Sequence, residues 1–326
     1  MEREIRWAVL GVGVIANQMA EAMAAHGRKI AAVGNRTKDK ADAFAAKYGI
    51  EKVYDDFYDM FTDPDIDAIY ITTPHNTHYE FMKKAIQGGK HLLVEKSITL
   101  NSAELAEVLD LSAARRTVMA EAMTIYHMPL YTELRRRIES GEFGRVNLIT
   151  VNFGSFKDYN MKNRFFNRSL AGGAMLDIGV YALSFARWFM NSKPNQIQSM
   201  MLPAPTGVDE EGSMLLRNPE GQLASIMLSL HSKQPKRGMV SCEKGYIEVM
   251  EFPRACQAVF TDAVTSEKTE ILSGDTSEAL YYELTDLEAA IHGNDSRLYN
   301  QETRDVMELM TEFRNTWGIT YPEEEE

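Results

Sequence analysis

Three residues, from two distant parts of the chain, have side chains suited to moving a proton at a reacting hydroxyl group. Lys96 follows an apolar run, and Asp177 and Tyr181 stand four positions apart, on one face of a predicted helix. A phenol has a reference pKa of about 10 and is a poor base unless a nearby cation stabilises its phenolate. The Lys96 ammonium would do so, and Asp177 could hold a substrate hydroxyl. Taken singly, Tyr181 is more often a packed aromatic, and Asp177 more often an acid that complements the helix dipole.

A glycine motif predicts a phosphate cradle near the start of the chain. It lies directly after the first apolar run: Gly11-Val12-Gly13-Val14-Ile15-Ala16. Gly11 permits a sharp turn, Gly13 lets the backbone approach a pyrophosphate, and Ala16 lets helix and strand pack closely. The backbone N–H groups at the new helix end, at Val14 and Ile15, would then face the phosphates. In this context the motif predicts dinucleotide binding rather than a purely structural turn.

The residues after the second apolar run predict which dinucleotide is bound. About twenty residues beyond the glycine motif, an NAD-selective site usually presents an Asp or Glu to the ribose hydroxyls. This chain has Asn35, Arg36 and Thr37 there. A carboxylate would repel a 2′-phosphate, whereas the planar Arg36 fork can pair with it and the Thr37 hydroxyl can donate to it. We therefore expect NADP(H) rather than NAD(H), although from spacing alone an ordinary solvated arginine is nearly as good an account.

Two further strand ends carry residues typical of a ligand edge. Ligands of open parallel sheets bind at the carboxyl ends of the strands. Thr73, Pro74 and Asn76 follow one predicted strand and are expected to border the nicotinamide, while Glu95 and Lys96 follow the next. A lysine at such a place is either a surface charge or an active-site group. A plain strand-to-helix turn is an equally good account of the first segment.

The spacing of apolar residues predicts two domains, 1–122 and 123–326. In the first, strands at 7–10, 30–33, 68–71 and 91–94 alternate with helices at 14–25, 39–48, 78–87 and 102–114. This rhythm predicts an α/β fold with a doubly wound parallel sheet. In the second, helices at 130–140, 175–189, 277–292 and 302–317 accompany strands at 146–153, 223–230 and 246–249. These strands predict a mostly antiparallel sheet with one open face, so we expect a homodimer or a higher homo-oligomer.

Composition excludes several classes of partner. The 326 residues carry a net charge of −12, which argues against nucleic acid. No apolar run approaches the roughly twenty residues of a membrane span, and the acidic N-terminus is unlike a signal sequence, so we expect a cytoplasmic protein. Cys242 and Cys256 lie in no metal-ligand pattern, so no metal is expected. His78 is not expected to act as an acid.

Taken together, the motifs resemble the Gfo/Idh/MocA oxidoreductase family (glucose-fructose oxidoreductase, inositol 2-dehydrogenase). The resemblance rests on four segments: the glycine loop, 73–78, Gly89-Lys90-His91 leading to Glu95-Lys96, and Gly172-Gly173 to Tyr181. It implies a Rossmann domain, a second domain with a large antiparallel sheet, and oxidation or reduction of sugars, polyols or diols with a nicotinamide nucleotide. It carries over Lys96, Asp177 and Tyr181 as the catalytic cluster and Arg164 as a substrate-side residue.

With tyrosine at position 181, the chain resembles one branch of that family. This branch includes NADP-dependent xylose dehydrogenases and dimeric dihydrodiol dehydrogenases. Ser97 and Ala171 depart from the family's usual proline and third glycine. A small-molecule substrate is expected, and an aromatic diol would use the same catalytic residues as a sugar. The rival hypothesis is a non-catalytic sensor that binds NADP(H) on the same fold.

Overall fold

The alternating apolar runs of the first third of the chain form a parallel sheet. The computed structural model describes residues 3–294 and 298–325. The strands of this sheet are β1 (Trp7–Leu10), β2 (Ala32–Gly34), β3 (Lys52–Val53), β4 (Ala68–Ile71), β5 (His91–Glu95) and β6 (Met119–Ala122). Within the described residues all of them run parallel, in the order β3-β2-β1-β4-β5-β6. The two halves of the order diverge from β1, as in a doubly wound sheet.

Helices follow the strands of this sheet at the predicted places. They are α1 (Val14–Ala25), α2 (Lys38–Tyr48), α3 (His75–Gln87) and α4 (Ser102–Arg115). Strands β1 and β4 are buried along their whole length, which explains their unbroken apolar sequence. One face of α1 packs into the same core through Ala16, Met19 and Met23.

The second half of the chain forms a larger, mostly antiparallel sheet. Its strands are β7 (Val146–Gly154), β8 (Gln196–Pro203), β9 (Asp209–Arg217), β10 (Leu223–Ser229), β11 (Arg237–Cys242), β12 (Gly245–Met250), β13 (Gln257–Asp262) and β14 (Lys268–Leu272). In the described part of the chain the order is β14-β13-β12-β11-β7-β10-β9-β8, and only the β7–β10 pair is parallel. Both predicted sheets are thus confirmed, and with them the fold class.

The helices of the second half are α5 (Thr124–His127), α6 (Pro129–Glu139), α7 (Val180–Phe189), α8 (Ala279–Ile291) and α9 (Asn300–Trp317). The segment 175–189, predicted as one helix, opens with a π-helical turn over Met175–Gly179 before α7 begins. By length and mean hydropathy, Arg168–Phe189 could cross a membrane, but 83% of its most apolar window is buried inside the protein. Burial in a protein core accounts for that composition.

Contacts divide the chain into two units, each described by itself. The first comprises residues 1–123 and 277–300, and the second 124–276 and 301–326. The predicted boundary near 122 is close to this division, but the segment around α8 returns to the first unit. Leu280 and Leu284 of α8 lie in the same core cluster as Trp7, and the Trp7 indole Nε1 donates to Glu288 Oε1 at 2.7 Å. Contacts so distant in sequence leave no signature in local periodicity.

Candidate active site

The glycine loop between β1 and α1 has the conformation that a phosphate cradle needs. Gly11 has φ +96°, and a Cβ placed there would lie 2.7 Å from Thr72 Oγ1, so only glycine fits. A Cβ at Gly13 would meet no heavy atom within 4 Å, so the space in front of this backbone is open. Gly13 is also the N-cap of α1, where no side chain caps the helix. The loop therefore offers uncapped helix N–H groups, with room for a pyrophosphate.

Two predicted residues flank this helix end in different ways. Val14, the first residue of α1, is 79% exposed, while Ile15 is half-buried against the core of the first unit. Ala16 is fully buried, which brings α1 close to the sheet. The predicted roles of Val14 and Ile15 rest on their backbone N–H groups, which belong to the first helical turn.

Arg36 follows β2 as an exposed cation. Within residues 3–294 and 298–325 its guanidinium makes no hydrogen bond or ion pair, unlike Lys38, which pairs with Asp42 at 3.3 Å and Asp55 at 2.8 Å. The Asn35 side-chain amide donates to the Thr37 carbonyl at 2.9 Å and closes the turn that presents Arg36. An unpaired guanidinium at this strand end suits an anionic group on a bound ligand.

The loops after β4 and β5 are joined by a buried histidine. His78 lies on α3 with 0% exposure, its Nε2 at 2.8 Å from the Thr73 carbonyl oxygen and its Nδ1 at 3.1 Å from the Ser97 carbonyl oxygen. Burial lowers the pKa of His78, which favours the neutral ring, and a neutral ring donates from one nitrogen only. His78 therefore lies against both the segment after β4 and the residue that follows Lys96, and its one N–H donates to one of the two carbonyls. Its burial agrees with the expectation that it is not an acid.

The segment that carries Lys96 is held on both sides. The Glu121 carboxylate, on β6 and 2% exposed, accepts the Ile98 N–H at 3.0 Å. The Tyr70 hydroxyl donates to the carboxylate of Glu95, the last residue of β5. The peptide bond between Lys96 and Ser97 is cis, and the Lys96 side chain is half-buried. Lys96 thus emerges from the carboxyl end of β5 on a backbone fixed by neighbouring elements.

The loop between β4 and α3 carries the remaining predicted residues of the first unit. Pro74 is the N-cap of α3, and the Thr77 hydroxyl donates to the Pro74 carbonyl at 2.8 Å. The hydroxyls of Thr77 and Thr73 are also bonded to each other at 2.8 Å. Thr73 and Asn76 are half-buried. Together with the glycine loop, these residues lie at the carboxyl ends of β1 and β4, the edge where open sheets bind ligands.

In the second unit, a glycine pair precedes the helix that carries Asp177 and Tyr181. A Cβ at Gly172 would lie 2.7 Å from the Arg164 carbonyl oxygen, and Gly173 has φ +125°. Asp177 lies in the π-helical turn and is 8% exposed, and its Oδ1 is 3.6 Å from Arg164 Nη2. Tyr181 follows in the first turn of α7, half-buried. The structure therefore brings Arg164 close to Asp177. Asp177 and Tyr181 lie on the same helical segment.

Two exposed aromatic side chains of the second unit were not singled out from the sequence. Phe156, 59% exposed, stacks on the His231 ring with centroids 5.5 Å apart, and Tyr159 lies 4.3 Å from the same ring. The Glu210 carboxylate, hydrogen-bonded to Tyr159, raises the pKa of that phenol. Phe156 and Tyr159 belong to the loop after β7, which also carries Arg164. The signal was the aromatic-rich run from 153 to 166.

A dinucleotide-type parallel sheet in one unit and a large antiparallel sheet in the other define a two-domain protein of the Rossmann type. Residues 5–123 match an oxidoreductase family with an NAD-binding Rossmann fold, and residues 131–248 match the Gfo/Idh/MocA C-terminal domain. The chain belongs to the Gfo/Idh/MocA oxidoreductase family. The predicted family and the oxidoreductase class are thereby confirmed.

Known proteins resemble the chain along most of its length. Trans-1,2-dihydrobenzene-1,2-diol dehydrogenase of Xenopus laevis is 30% identical over 251 residues, 76% of this chain and 76% of that protein. Two solved structures share the fold. The 3-ketoreductase of Actinomadura kijaniata with NADP and TDP-benzene has a TM-score of 0.83 at 19% identity, covering 94% of this chain and 96% of that one. Levoglucosan dehydrogenase with NADH and levoglucosan has a TM-score of 0.86 at 18% identity, covering 98% and 99%.

Proposed function

We propose that this oxidoreductase transfers a hydride between NADP(H) and a sugar, polyol, diol or related carbonyl compound. The observation that supports the proposal is that Lys96, Asp177 and Tyr181 lie in, or directly after, regular secondary structure. Lys96 follows β5 on a segment held by Glu121, and Asp177 and Tyr181 share one helical segment of the second unit. A purely cofactor-binding protein has no need for a lysine and a tyrosine of this kind together.

The first unit supplies the residues that would hold the nucleotide. Gly11 makes the tight turn, Gly13 leaves open space for the pyrophosphate, and the N–H groups of Val14 and Ile15 lie at the helix end that would face it. Thr73, Pro74, Asn76 and Glu95 would border the nicotinamide side. When bound, the nicotinamide supplies or accepts the hydride.

Arg36 supports NADP(H) over NAD(H) in this proposal. A guanidinium that no described residue pairs can form a charge-assisted pair with a 2′-phosphate and stack on the adenine. Asn35 and Thr37 shape the turn around it, and the Thr37 hydroxyl can donate to the same phosphate. The acid that would favour the ribose hydroxyls of NAD is replaced here by Asn35.

Tyr181 would exchange the proton of the reacting hydroxyl group. Its phenol needs a stabilised phenolate to act as a base near neutral pH, and the Lys96 ammonium would lower its pKa and bind the reacting oxygen. Asp177 would accept a hydrogen bond from a substrate hydroxyl, with its orientation fixed by Arg164. The proton thus moves between substrate oxygen and phenol oxygen while the hydride moves at the adjacent carbon.

The aromatic pair Phe156 and Tyr159 supports a substrate with a ring face next to its hydroxyls. Exposed aromatic rings pack against sugars and against unsaturated carbocycles alike. The dihydrodiol relative acts, by its name, on a carbocyclic diol. Sugars and cyclic diols therefore form one test panel.

Single-turnover stopped-flow measurements test this function. We expect the protein to consume NADPH with at least one member of a panel of ketoses and dicarbonyls, or to reduce NADP⁺ with a sugar or cyclic diol. We expect Tyr181→Phe to lower that rate by about 10²-fold or more, because the proton loses its carrier. Tyr58→Phe, a surface tyrosine bonded to Glu80, is the matched control and should keep the wild-type rate.

Two outcomes would contradict the proposal. A bound nucleotide that no panel member oxidises or reduces would favour the rival hypothesis of a sensor. A normal rate in Tyr181→Phe would remove the phenol from the mechanism.

We also propose that the open face of the large sheet binds a second copy of the chain. Three apolar residues stand out on it: Met200 is 78% exposed, and Leu202 and Leu215 are each 55% exposed. Apolar side chains grouped on one sheet face are typical of a subunit interface.

A further inference from the structure

A buried carboxylate on β9 caps the helical segment that carries Asp177 and Tyr181. Asp209, the first residue of β9, is 1% exposed. Its Oδ2 accepts the backbone N–H of Met175 at 2.5 Å. Met175 begins the π-helical turn, so the acceptor for this helix end comes from a strand 34 residues further along the chain. A carboxylate at a helix N-terminus satisfies a free N–H and complements the helix dipole.

The loop in front of this helix is shaped around Asp209. A Cβ at Gly173 would lie 2.2 Å from Asp209 Oδ1, so the carboxylate occupies the space that any side chain there would fill. The Tyr321 hydroxyl donates to the Gly172 carbonyl at 2.6 Å, and the Gly173 N–H donates to the Phe165 carbonyl at 2.9 Å. The backbone of Gly173 therefore packs directly against the Asp209 carboxylate, with no space for a larger side chain at that position.

The charged and titratable groups that face Asp209 come from α9 and the segment after it. Arg314 of α9 is 2% exposed and pairs with Glu324 through two hydrogen bonds of 2.8 Å. Its guanidinium lies 4.8 Å from the centre of the Tyr321 ring. Burial raises the pKa of Asp209 to about 7, against the opposing effects of the Met175 N–H and of Arg314. Asp209 Oδ1 has no hydrogen-bond partner among the described residues.

We propose that Asp209 is a positioning residue that fixes the helix turn presenting Asp177 and Tyr181 to substrate. The proposal rests on the proposed function of those two residues. In that mechanism Asp209 touches neither substrate nor nucleotide. It acts through its hydrogen bond to the backbone of Met175.

The protonation of Asp209 has opposite effects on helix order and on stability. The ionised carboxylate is the stronger acceptor for the Met175 N–H, so the cap weakens as the pH falls through about 7. The free energy of unfolding changes with pH in the opposite direction, because the pKa of Asp209 is higher in the folded protein than its unfolded value of 3.8. The stabilising contribution is complete below the unfolded pKa and is lost as the pH rises through about 7. Above about pH 7, the ionised Asp209 carboxylate therefore orders the helix turn but lowers the stability of the fold.

The variant Asp209→Asn separates the effect of the carboxylate on catalysis from its effect on stability. Asp305→Asn is the matched control. Asp305 is also buried, and it holds Arg187 near the other end of α7 through a 2.7 Å ion pair. In Asp209→Asn we expect kcat at pH 8 to fall by about tenfold, since small misplacements of reacting groups are costly. Nucleotide affinity should stay unchanged, the kcat dependence near pH 7 should be lost, and Tm at pH 8 should not fall. Asp305→Asn should lower Tm and leave the kcat pH profile intact.

Hydrogen exchange in the wild-type protein gives a second readout that needs neither variant nor substrate. After correction for the intrinsic rate, we expect residues 174–181 to be several-fold better protected at pH 8 than at pH 6, with no such change in residues 182–189. An Asp209→Asn protein with the wild-type pH profile, or unchanged protection at 174–181, would overturn the proposal. A normal rate in Tyr181→Phe would instead overturn the proposed function, which the exchange data do not depend on.

Discussion

In the proposed function, the choice of NADP(H) over NAD(H) rests on Arg36. It lies after β2, exposed and without a bonded partner in the part of the chain that the structure describes. The nearby Lys38 is already neutralised by Asp42 and Asp55, and the hydrogen bond to Asp55 raises its pKa. A 2′-phosphate at this strand end would therefore meet Arg36 as a cation that no described residue already pairs.

Replacing Arg36 with Gln should separate the two nucleotides. We expect NADPH affinity to fall by about 10- to 100-fold, the usual range for a lost charge-assisted hydrogen bond, and NADH affinity to change little. Quenching of tryptophan fluorescence measures both. Lys40→Gln removes an exposed charge from the first turn of α2 and should leave both affinities unchanged. An equal loss for NADPH and NADH would show that Arg36 does not read the phosphate.

The sequence predicts best those residues whose proposed role depends on the backbone conformation of a short, contiguous motif. Gly11 and Gly13 follow from motif and context, and the structure gives them the tight turn and the open backbone that the motif requires. Asp209 and His78 could not be assigned in this way. Their contacts are with Met175, Thr73 and Ser97, and only tertiary structure brings those partners together.

At the scale of elements, prediction succeeded where periodicity was strong and failed where strands were short or polar. The strand Trp7–Leu10 and the helix Val14–Ala25 have their predicted bounds. Strand β3 has two residues, and β9 begins with three acids, so neither has a clear apolar pattern. The π-helical turn was missed because apolar spacing does not distinguish a π turn from an α turn.

The open sheet face makes a prediction at this scale. Because Met200 projects from the edge strand β8, Met200→Lys would place a charge in the proposed interface, and we expect the assembly to dissociate toward monomers. Light scattering coupled to gel filtration measures the mass. Val264→Lys is the control, since Val264 is 92% exposed in the turn between β13 and β14 and should leave the mass unchanged. A wild-type protein that is monomeric at micromolar concentration would contradict this interface.

At the scale of the whole chain, the sequence divides the proposed work between two units. The nucleotide residues and Lys96 belong to the first unit, whereas Arg164, Asp177 and Tyr181 belong to the second. Local patterns predicted this order because each unit has its own periodicity. They did not predict that 277–300 would rejoin the first unit, because burial of Leu280 and Leu284 beside Trp7 depends on tertiary packing.

In the proposed mechanism, the Lys96 ammonium would lower the pKa of the Tyr181 phenol. The most direct test is the pH dependence of single-turnover NADP⁺ reduction in wild type and in Lys96→Met. Lys84→Met, which removes a half-buried lysine of α3 that pairs with Glu80, is the control. We expect Lys96→Met to raise the apparent pKa of the catalytic base by about one unit or more, because the phenolate loses its cation. An identical pH profile in wild type and Lys96→Met would contradict the account.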